Sequence, residues 1–287
     1  MLQEKKSNPF NVARPIQLNK HEFDLAHMFK SAKIKPGHVL RGVVLPDTHY
    51  PFHDKEVVAA VTSFLMDYKP HVLIHIGDFY EMESLSPHEL ESQNFKDAMR
   101  TIRRGRTLMR QFVDSSGAVY KFFCVGNHEY WFERYLEKKV PGIKEACEHI
   151  GSTMPSINSL CTFGGLDFQV IPHNEVLKLG KAHFTHGFYT NSHHAEKTVR
   201  TVGGTIFYGH TETIQCHAVS SMDGMRVGQS IGTLRDIAQA KFMRARPCDW
   251  LHGFMIIEWR EDGTFSYVVP TIINSTFSFN GKIYWGN

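Results

Sequence analysis

From about residue 39 onward, short apolar runs alternate with helical segments. Three of the runs are VLRGVVL, HVLIHI and AVYKFFCV, and each is bounded by polar residues or glycine. Apolar residues at helical spacing predict a helix from about Asp54, and a second, longer helix is predicted from about Asn94 to Val113. This alternation predicts βαβ units and a largely parallel first sheet.

After about Leu166 the predicted strands become shorter and closer together. They are LDFQVI, KAHFTH, TIFYGH, HAVSS, GFMIIEW and TFSYVV. This spacing predicts a second sheet, mainly antiparallel or mixed, so that two stacked sheets flanked by helices result. The chain has 287 residues, of which 42% are hydrophobic, enough for one large core. We expect an N-terminal extension over residues 1–38, packed on a single domain over residues 39–287.

Composition narrows the classes of function. The formal charge of +3 is too small to indicate nucleic-acid binding by itself. Five cysteines without a C-x-x-C pair argue against a disulfide framework, a disulfide-linked partner or a thiolate zinc site. No apolar run approaches the roughly 20 residues that cross a bilayer, and the first residues lack the apolar region of a signal peptide. We therefore expect a cytoplasmic protein with no membrane partner; the sequence leaves its oligomeric state open.

Polar motifs stand where five apolar strands end. Because ligands of open α/β sheets bind beyond the carboxyl ends of the strands, the five loops are expected to converge. Each motif alone is also an ordinary turn, whereas the ordered set predicts a metal site, in a chain that contains 18 histidines. The motifs are Asp47-Thr-His49, Gly77-Asp78, Gly126-Asn127-His128-Glu129, His186-Gly187 and Gly209-His210.

This ordered set resembles the signature of the calcineurin-like metallophosphoesterases, which is D-x-H, G-D, G-N-H-[DE], H and G-H-x-H. The stretch GTLRDIAQ, followed by Asp249-Trp250-Leu251-His252-Gly253-Phe254, further resembles bacteriophage and prophage members. The resemblance implies a four-layer α-β-β-α sandwich, in which two mixed β-sheets are flanked by helices. It also implies two divalent metal ions.

The resemblance also implies roles for individual residues. It places Asp47 and His49 on the first metal, Asp78 on both, and Asn127, His186 and His210 on the second. A carboxylate can bridge two cations about 3.5–4 Å apart, which activates a water for in-line attack on phosphorus. The implied catalytic residue is His128, whose imidazolium donates a proton or hydrogen bond to the departing oxygen.

The last motif departs from the family, because Glu212 stands where the family usually has a second histidine. If Glu212 coordinates the first metal, its carboxylate favours harder ions, with Mn²⁺ as the first choice and Fe, Zn, Mg and Ni as alternatives. The other interpretation is that Glu212 does not coordinate and the first metal is weakly held or absent.

A second pattern competes with the metal site. Residues 228–232 match G-x-S-x-G, the nucleophile elbow of serine hydrolases, and Asp249 and His252 follow in the order of that class. The elbow requires a strand before it and a helix after it. This stretch instead follows the turn-forming residues 222–224, so we expect a glycine-rich strand pair beneath the site.

Several residues near the motifs are candidate substrate contacts. We expect Tyr80 and Tyr130 to stack on a base, His53 and His193 to meet phosphate, and Arg103 to track a phosphate backbone. Packing residues and a solvated helix face are the alternatives. Arg103 belongs to a row of arginines on the second predicted helix, formed by Arg100, Arg103, Arg104, Arg106 and Arg110.

The preferred function is phosphodiester hydrolysis, as a nuclease or nucleotide phosphodiesterase, with DNA or RNA among the candidate partners. If the chain is phage-encoded, its expected location is the host cytoplasm. The alternatives are a phosphomonoesterase acting on protein or a small metabolite, and a non-catalytic metal-containing module that binds nucleic acid.

Overall fold

The fold begins with strands that are apolar on both faces. The structure is a computed structural model that describes residues 18–87, 94–139, 142–152, 156, 158–159, 165–222, 224–239 and 248–286. Within it, β2 (Leu40–Leu45) and β3 (Val72–His75) are almost wholly buried. Burial on both faces is typical of parallel strands covered by other layers, and β2 and β3 are indeed parallel.

The first sheet has six strands in the order β12-β11-β2-β3-β4-β5. The strands β2, β3, β4 and β5 run parallel to one another. At the other edge of the sheet, β11 pairs antiparallel with β2, and β12 pairs antiparallel with β11. The strands that complete it are β4 (Tyr120–Cys124), β5 (Gln169–Ile171), β11 (Met255–Trp259) and β12 (Phe265–Val268).

The second sheet has six strands in the order β1-β6-β7-β8-β10-β9. It is mixed, because β7, β8 and β10 are mutually parallel whereas β6 and β9 run antiparallel to their neighbours β7 and β10. The strands are β1 (Lys20–Phe23), β6 (Val176–Leu179), β7 (Ala182–Thr185), β8 (Thr205–Tyr208), β9 (Cys216–Ser221) and β10 (Gly224–Ser230). A separate hairpin consists of β13 (Thr276–Phe279) and β14 (Lys282–Trp285).

In the part of the chain that the structure describes, six helices accompany the sheets, with short 3-10 helices at Glu83–Leu85 and Ile237–Gln239. The carboxylate of Asp54 accepts two backbone N–H groups at the start of the second helix, and Asn94 does the same at the third. The helices are α1 (Leu25–Ser31), α2 (Lys55–Tyr68), α3 (Phe95–Ser116), α4 (Asn127–Lys139), α5 (Gly142–His149) and α6 (His194–Val202). Among the described residues, no helix has the length and apolar character needed to cross a membrane.

Alternate residues of the first sheet belong to two different cores. Val43, Leu73 and Phe123 pack with α2 and α3, whereas Val44 and Ile74 pack against the second sheet. Since successive side chains of a strand point to opposite faces, one sheet separates the two cores. On the far side of the second sheet α6 covers β9 and β10. The layers are therefore helix, sheet, sheet and helix, the predicted four-layer α-β-β-α sandwich.

The membership of the sheets differs from the prediction at three strands. LDFQVI, GFMIIEW and TFSYVV were expected in the second sheet, but they form β5, β11 and β12 of the first. Short strands do not reveal their partners, because pairing is decided by contacts between residues distant in sequence. Within the segment expected to be an extension, β1 pairs with β6 and α1 buries three apolar side chains against the core between the sheets.

Candidate metal centre

The residues predicted as metal ligands stand in loops that meet at one edge of the stacked sheets. β2, β3 and β4 are parallel neighbours in the first sheet, and β7 and β8 are parallel neighbours in the second. Their carboxyl ends therefore lie side by side. The structure brings all seven predicted ligands together there: Asp47, His49, Asp78, Asn127, His186, His210 and Glu212.

Asp78 occupies the centre of this cluster. Its Oδ2 lies 3.2 Å from Nε2 of His186 and 4.0 Å from Nε2 of His49. Two groups of potential metal ligands, each with ligand atoms within 4.8 Å of one another, share Asp78: one includes His49 and His128, the other His186 and His210. A carboxylate common to two ligand groups is the arrangement that a two-metal site requires.

His49 and Glu212 form the first side of the cluster. His49 Nε2 lies 3.5 Å from Oε1 of Glu212, and both residues are buried. Neither His49 Nε2 nor Glu212 Oε2 has a hydrogen-bond partner among the described residues. Buried polar atoms without partners are costly, so these two atoms fit a cation that both would coordinate.

His186, Asn127 and His210 form the second side. His186 Nδ1 lies 2.9 Å from the carbonyl oxygen of Ile76, so this nitrogen carries the proton and Nε2 faces the cluster. Nε2 lies 2.9 Å from the side-chain oxygen of Asn127. Burial lowers the pKa of His210 to about 4, which leaves its imidazole neutral and able to coordinate.

The buried charges of the cluster shift one another's pKa values. Burial raises the pKa of Asp47 to about 7, against the effect of His186. Burial lowers the pKa of His186, but the charge and hydrogen bond of Asp78, together with the charges of Asp47 and Glu129, raise this pKa to about 9. Burial likewise opposes ionisation of Asp78, yet His186 and His128 hold its pKa well below the usual range. Imidazole protons thus balance the carboxylates, and divalent cations would displace those protons on binding.

Backbone conformation also marks this cluster. His49, Asp78, His210 and Glu212 have φ angles of 50°, 47°, 67° and 56°. Positive φ is uncommon for residues other than glycine and is concentrated at functional sites, where the surrounding structure compensates its cost. Four of the seven predicted ligands therefore adopt backbone conformations that packing alone does not favour.

Two glycines let the backbone approach the carboxylates. A Cβ atom at Gly126 would overlap Oδ1 of Asp78, and one at Gly209 would overlap Oδ1 of Asp47. Both glycines precede a predicted ligand in the chain. Their role is to leave room, because neither residue has a positive φ.

The Gly209→Ala variant is expected to lose metal affinity by about tenfold or more while keeping its fold, because the added methyl group displaces Asp47 from its contact with the His210 N–H. Isothermal titration calorimetry with the metal ion measures the loss of affinity. Gly142→Ala is the matched control, since a Cβ there meets nothing within 4 Å. Equal metal affinity in the two variants would contradict this account of Gly209.

Glu129 supports the centre in a way that its sequence position did not indicate. In the sequence, Glu129 is recognisable only as the last residue of the G-N-H-E motif. In the structure its buried carboxylate accepts N–H groups from Asp78 at 2.9 Å, Tyr80 at 2.9 Å and Gly126 at 3.1 Å. Burial, followed by the charge of Asp78, raises its pKa to about 6. Glu129 therefore joins the loop that carries Asp78 to the loop that carries Asn127.

Glu81 is a second buried carboxylate that sequence analysis missed. It lies 3.1 Å from His49 Nδ1, 2.8 Å from His128 Nδ1 and 3.0 Å from Nη1 of Arg235. Burial opposes its ionisation, but the hydrogen bonds from His128 and His49 lower its pKa. An acidic residue directly after the apolar pair Phe79-Tyr80 was the available sequence signal. Glu81 orients both imidazoles toward the cluster.

Several of the predicted ligands border a cavity with a volume of about 420 Å³. His128 lines it, with Nε2 at 3.9 Å from Oδ2 of Asp78. The predicted catalytic residue therefore faces the same space as the ligands. We use the name metal cavity for the space lined by His49, Asp78, Glu81, Glu83, Ser86, Asn127, His128, Trp131, His210, Glu212 and Arg235.

The predicted substrate contacts lie elsewhere. Tyr80 is 1% exposed and packs beside Gly105, so it has no face to offer a substrate. Tyr130 stacks on His173 with ring centroids 4.6 Å apart, and His53 stacks on Tyr50. The position of an aromatic residue directly after a ligand motif does not show whether its ring points toward the substrate or into the core.

Two further predicted contacts are exposed and do not line the metal cavity. His193 precedes α6 and does not line the metal cavity, and Arg103 lies on α3, in a shallow depression with Phe95 and Arg100. The next residue, His194, is buried. Its Nδ1 is hydrogen-bonded to the Tyr208 hydroxyl and its Nε2 to the Thr213 hydroxyl.

The G-x-S-x-G stretch is not a nucleophile elbow. Residues 228–230 belong to β10, which pairs with β9 as the expected glycine-rich strand pair. Ser230 is fully buried and its hydroxyl accepts the N–H of Gln215. His252 is bonded to the carbonyl oxygen of Arg235, so Ser230 and His252 have separate partners.

Comparison with known proteins agrees with this geometry. The profile of the family described as "Calcineurin-like phosphoesterase" matches residues 40–213, more than half of the chain and all seven predicted ligands. The "Gene 54 protein" of Mycobacterium phage L5 is 26% identical over 85% of this chain and 98% of its own length. That of phage D29 is 25% identical over the same shares. The crystal structure of Chaetomium thermophilum Vps29 is 10% identical, with a TM-score of 0.43 over 86% of this chain and 100% of its own. On the family match and the site that it contains, the chain belongs to the calcineurin-like phosphoesterase family.

Proposed function

We propose that this protein is a dinuclear metal-dependent phosphodiesterase that acts on a nucleotide or nucleic acid. The observation that carries the proposal is Asp78, whose carboxylate is common to two groups of ligand atoms and lies 3.9 Å from the ring of His128. Asp47, His49 and Glu212 would hold one cation, and Asn127, His186 and His210 the other. When bound, the two cations supply an activated water and neutralise charge on the phosphate.

His128 is the proposed proton donor to the departing oxygen. Glu81 holds its Nδ1 at 2.8 Å, which directs Nε2 into the metal cavity. Glu81 acts through His128 and His49 and is therefore a positioning residue.

Mn²⁺ is the proposed metal, because three carboxylates and an amide oxygen stand among the seven proposed ligands. Oxygen donors favour harder cations than sulfur or imidazole donors do. Asn127 contributes its oxygen without a negative charge that would repel phosphate.

Residues outside the metal centre, and not the metal ligands themselves, favour a diester substrate over a monoester. Arg100, Arg103, Arg104 and Arg110 are exposed along α3, and a row of exposed guanidinium groups can contact a phosphate backbone.

The test is hydrolysis of bis-p-nitrophenyl phosphate by metal-stripped protein titrated with Mn²⁺. Activity should appear with the metal, and His128→Ala should lower kcat by about 10²–10⁴-fold, the usual contribution of a general acid. His38→Ala, at an exposed histidine, is the control. Turnover of p-nitrophenyl phosphate alone would show a monoesterase. Bound metal and bound DNA with no hydrolysis would show a binding module.

The Glu212→Ala variant tests coordination by the residue that departs from the family pattern. Removing one carboxylate should lower metal affinity more than activity at saturating Mn²⁺, because excess metal refills the weakened position. Metal content after dialysis and activity across a Mn²⁺ titration measure the two effects. Glu261→Ala, at an exposed position, is the matched control. Metal content equal to that of the unaltered protein would rule out coordination by Glu212.

A further inference from the structure

A second cavity, of about 600 Å³, adjoins the metal cavity. His210 lines both, so a molecule whose phosphate lies at the metal ligands can extend past His210 into the second space. We call it the Trp250 cavity, lined by Thr190, Asn191, Ser192, His194, His210, Thr211, Thr213, Ile214, Gln215, Asp249, Trp250 and Leu251. Its volume lies in the range of small-molecule sites, roughly 300–1,000 Å³.

Hydrogen bonds hold one wall of the Trp250 cavity in place. Gln215 accepts the N–H of Ala195 at 2.9 Å and donates to the carbonyl of Ser192 at 2.9 Å. Both ring nitrogens of His194 are bonded, to the Tyr208 hydroxyl and to Thr213. A wall with its polar groups already engaged is preorganised for a ligand.

The opposite wall is tied to the loop that carries Glu212. Trp250 pairs through its backbone with Thr213, and the N–H of Leu251 donates to the carbonyl oxygen of Glu212 at 3.0 Å. The indole of Trp250 also lies 6.0 Å from the guanidinium of Arg235, which lines the metal cavity. Trp250 is therefore fixed relative to the metal ligands.

The lining selects for an uncharged polar ring rather than for a second phosphate. Among the lining residues that the structure describes, none is lysine or arginine, and Asp249 adds a carboxylate. Neutral donors and acceptors surround the space, including Asn191, Ser192 and Thr190. An aromatic face with nearby amide and hydroxyl groups is the chemistry that stacks a nucleobase and contacts its edges.

We propose that the Trp250 cavity binds the nucleoside joined to the phosphate that is cleaved, with the base against Trp250. This inference rests on the proposed phosphodiesterase function and names its substrate class: a nucleoside phosphodiester in which one nucleoside leaves the stack. A continuous duplex is disfavoured in this cavity, because the lining residues offer no lysine or arginine to neutralise further phosphates.

The experiment compares two substrates with the same leaving group: the p-nitrophenyl ester of thymidine 5′-phosphate and methyl p-nitrophenyl phosphate. In the Mn²⁺-loaded protein, Trp250→Ala should lower the ratio of their kcat/KM values about tenfold or more, as expected for the loss of one base–aromatic contact. Trp250→Phe should recover most of the ratio. Trp285→Ala, at a tryptophan that is 57% exposed on the β13-β14 hairpin, is the matched control.

Binding of thymidine 5′-monophosphate to the same Mn²⁺-loaded proteins separates the two proposals. If both substrates are hydrolysed but Trp250→Ala changes neither the ratio nor the affinity for the nucleotide, the cavity assignment is overturned and the phosphodiesterase stands. If neither substrate is hydrolysed but the nucleotide binds about tenfold more weakly to Trp250→Ala, the cavity stands and the phosphodiesterase is overturned. Failure of the unaltered protein to bind the nucleotide at all overturns the cavity assignment.

Discussion

The Asp78→Asn variant is expected to lose about 10³-fold or more in kcat/KM for bis-p-nitrophenyl phosphate, since bound cations supply several kcal/mol of stabilisation and each 1.36 kcal/mol is a factor of ten. Asparagine keeps the size of the side chain. It also keeps an oxygen that can accept the backbone N–H of His128, which donates to Oδ1 of Asp78 at 2.9 Å in the unaltered protein. It cannot offer two charged oxygens to two cations. Steady-state kinetics and metal content per chain measure the two consequences.

Asp114→Asn is the matched control for this variant, because Asp114 is an exposed residue of α3. The fold of Asp78→Asn should be retained, so circular dichroism should match that of the control. Two metals per chain together with unreduced activity in Asp78→Asn would show that Asp78 is not shared between cations, and the dinuclear proposal would then fail.

The Glu129→Ala variant is expected to lower the free energy of unfolding of the metal-free protein by about 3 kcal/mol or more. The substitution leaves three buried N–H groups without their acceptor, and each such group costs about 1–3 kcal/mol. Urea denaturation followed by tryptophan fluorescence measures the change. Glu137→Ala, on the exposed side of the same helix, should change the same quantity by less than about 0.5 kcal/mol.

Glutamine at position 129 sharpens the test. The Tyr80 N–H donates to one carboxylate oxygen, and the N–H groups of Asp78 and Gly126 donate to the other. A glutamine amide places its NH₂ group against one of these donors, so Glu129→Gln should also be destabilised despite its equal size. A Glu129→Gln variant as stable as the unaltered protein would show that these hydrogen bonds are not what holds the Asp78 loop.

The contrast between Asp78 and Glu129 shows what a motif reveals about a site. Gly77-Asp78 was expected to join the other strand-end motifs, and the family resemblance implied that Asp78 is a ligand; in the structure Asp78 lies at the centre of the cluster. Glu129 belongs to an equally visible motif, but two of its three partners are N–H groups of a loop about 50 residues earlier in the chain. Backbone donors have no sequence signature, so this role could not be predicted.

Errors about strands and aromatic residues have a similar origin. β11 and β12 resembled strands of the later sheet by position, but β11 pairs with β2, more than 200 residues earlier. Tyr80 directly follows the Asp78 loop and was expected to face a substrate, yet it turns into the core beside α3. Proximity in sequence indicates which loop carries a residue, and not which way its side chain points.

The sequence by itself determined the alternation of strands and helices and the ordered polar motifs at strand ends, because these depend on the spacing of residues along one short segment. From them followed two stacked sheets flanked by helices and a metal site at the strand ends, and the resemblance to the calcineurin-like family implied the individual ligands. Only the tertiary structure decided that Glu81 and Glu129 support those ligands, that Tyr80 is core, and that the Trp250 cavity opens beside His210. These features arise where loops from different strands meet. They are stabilised by contacts between residues that are distant in sequence, and local periodicity does not show which residues those are.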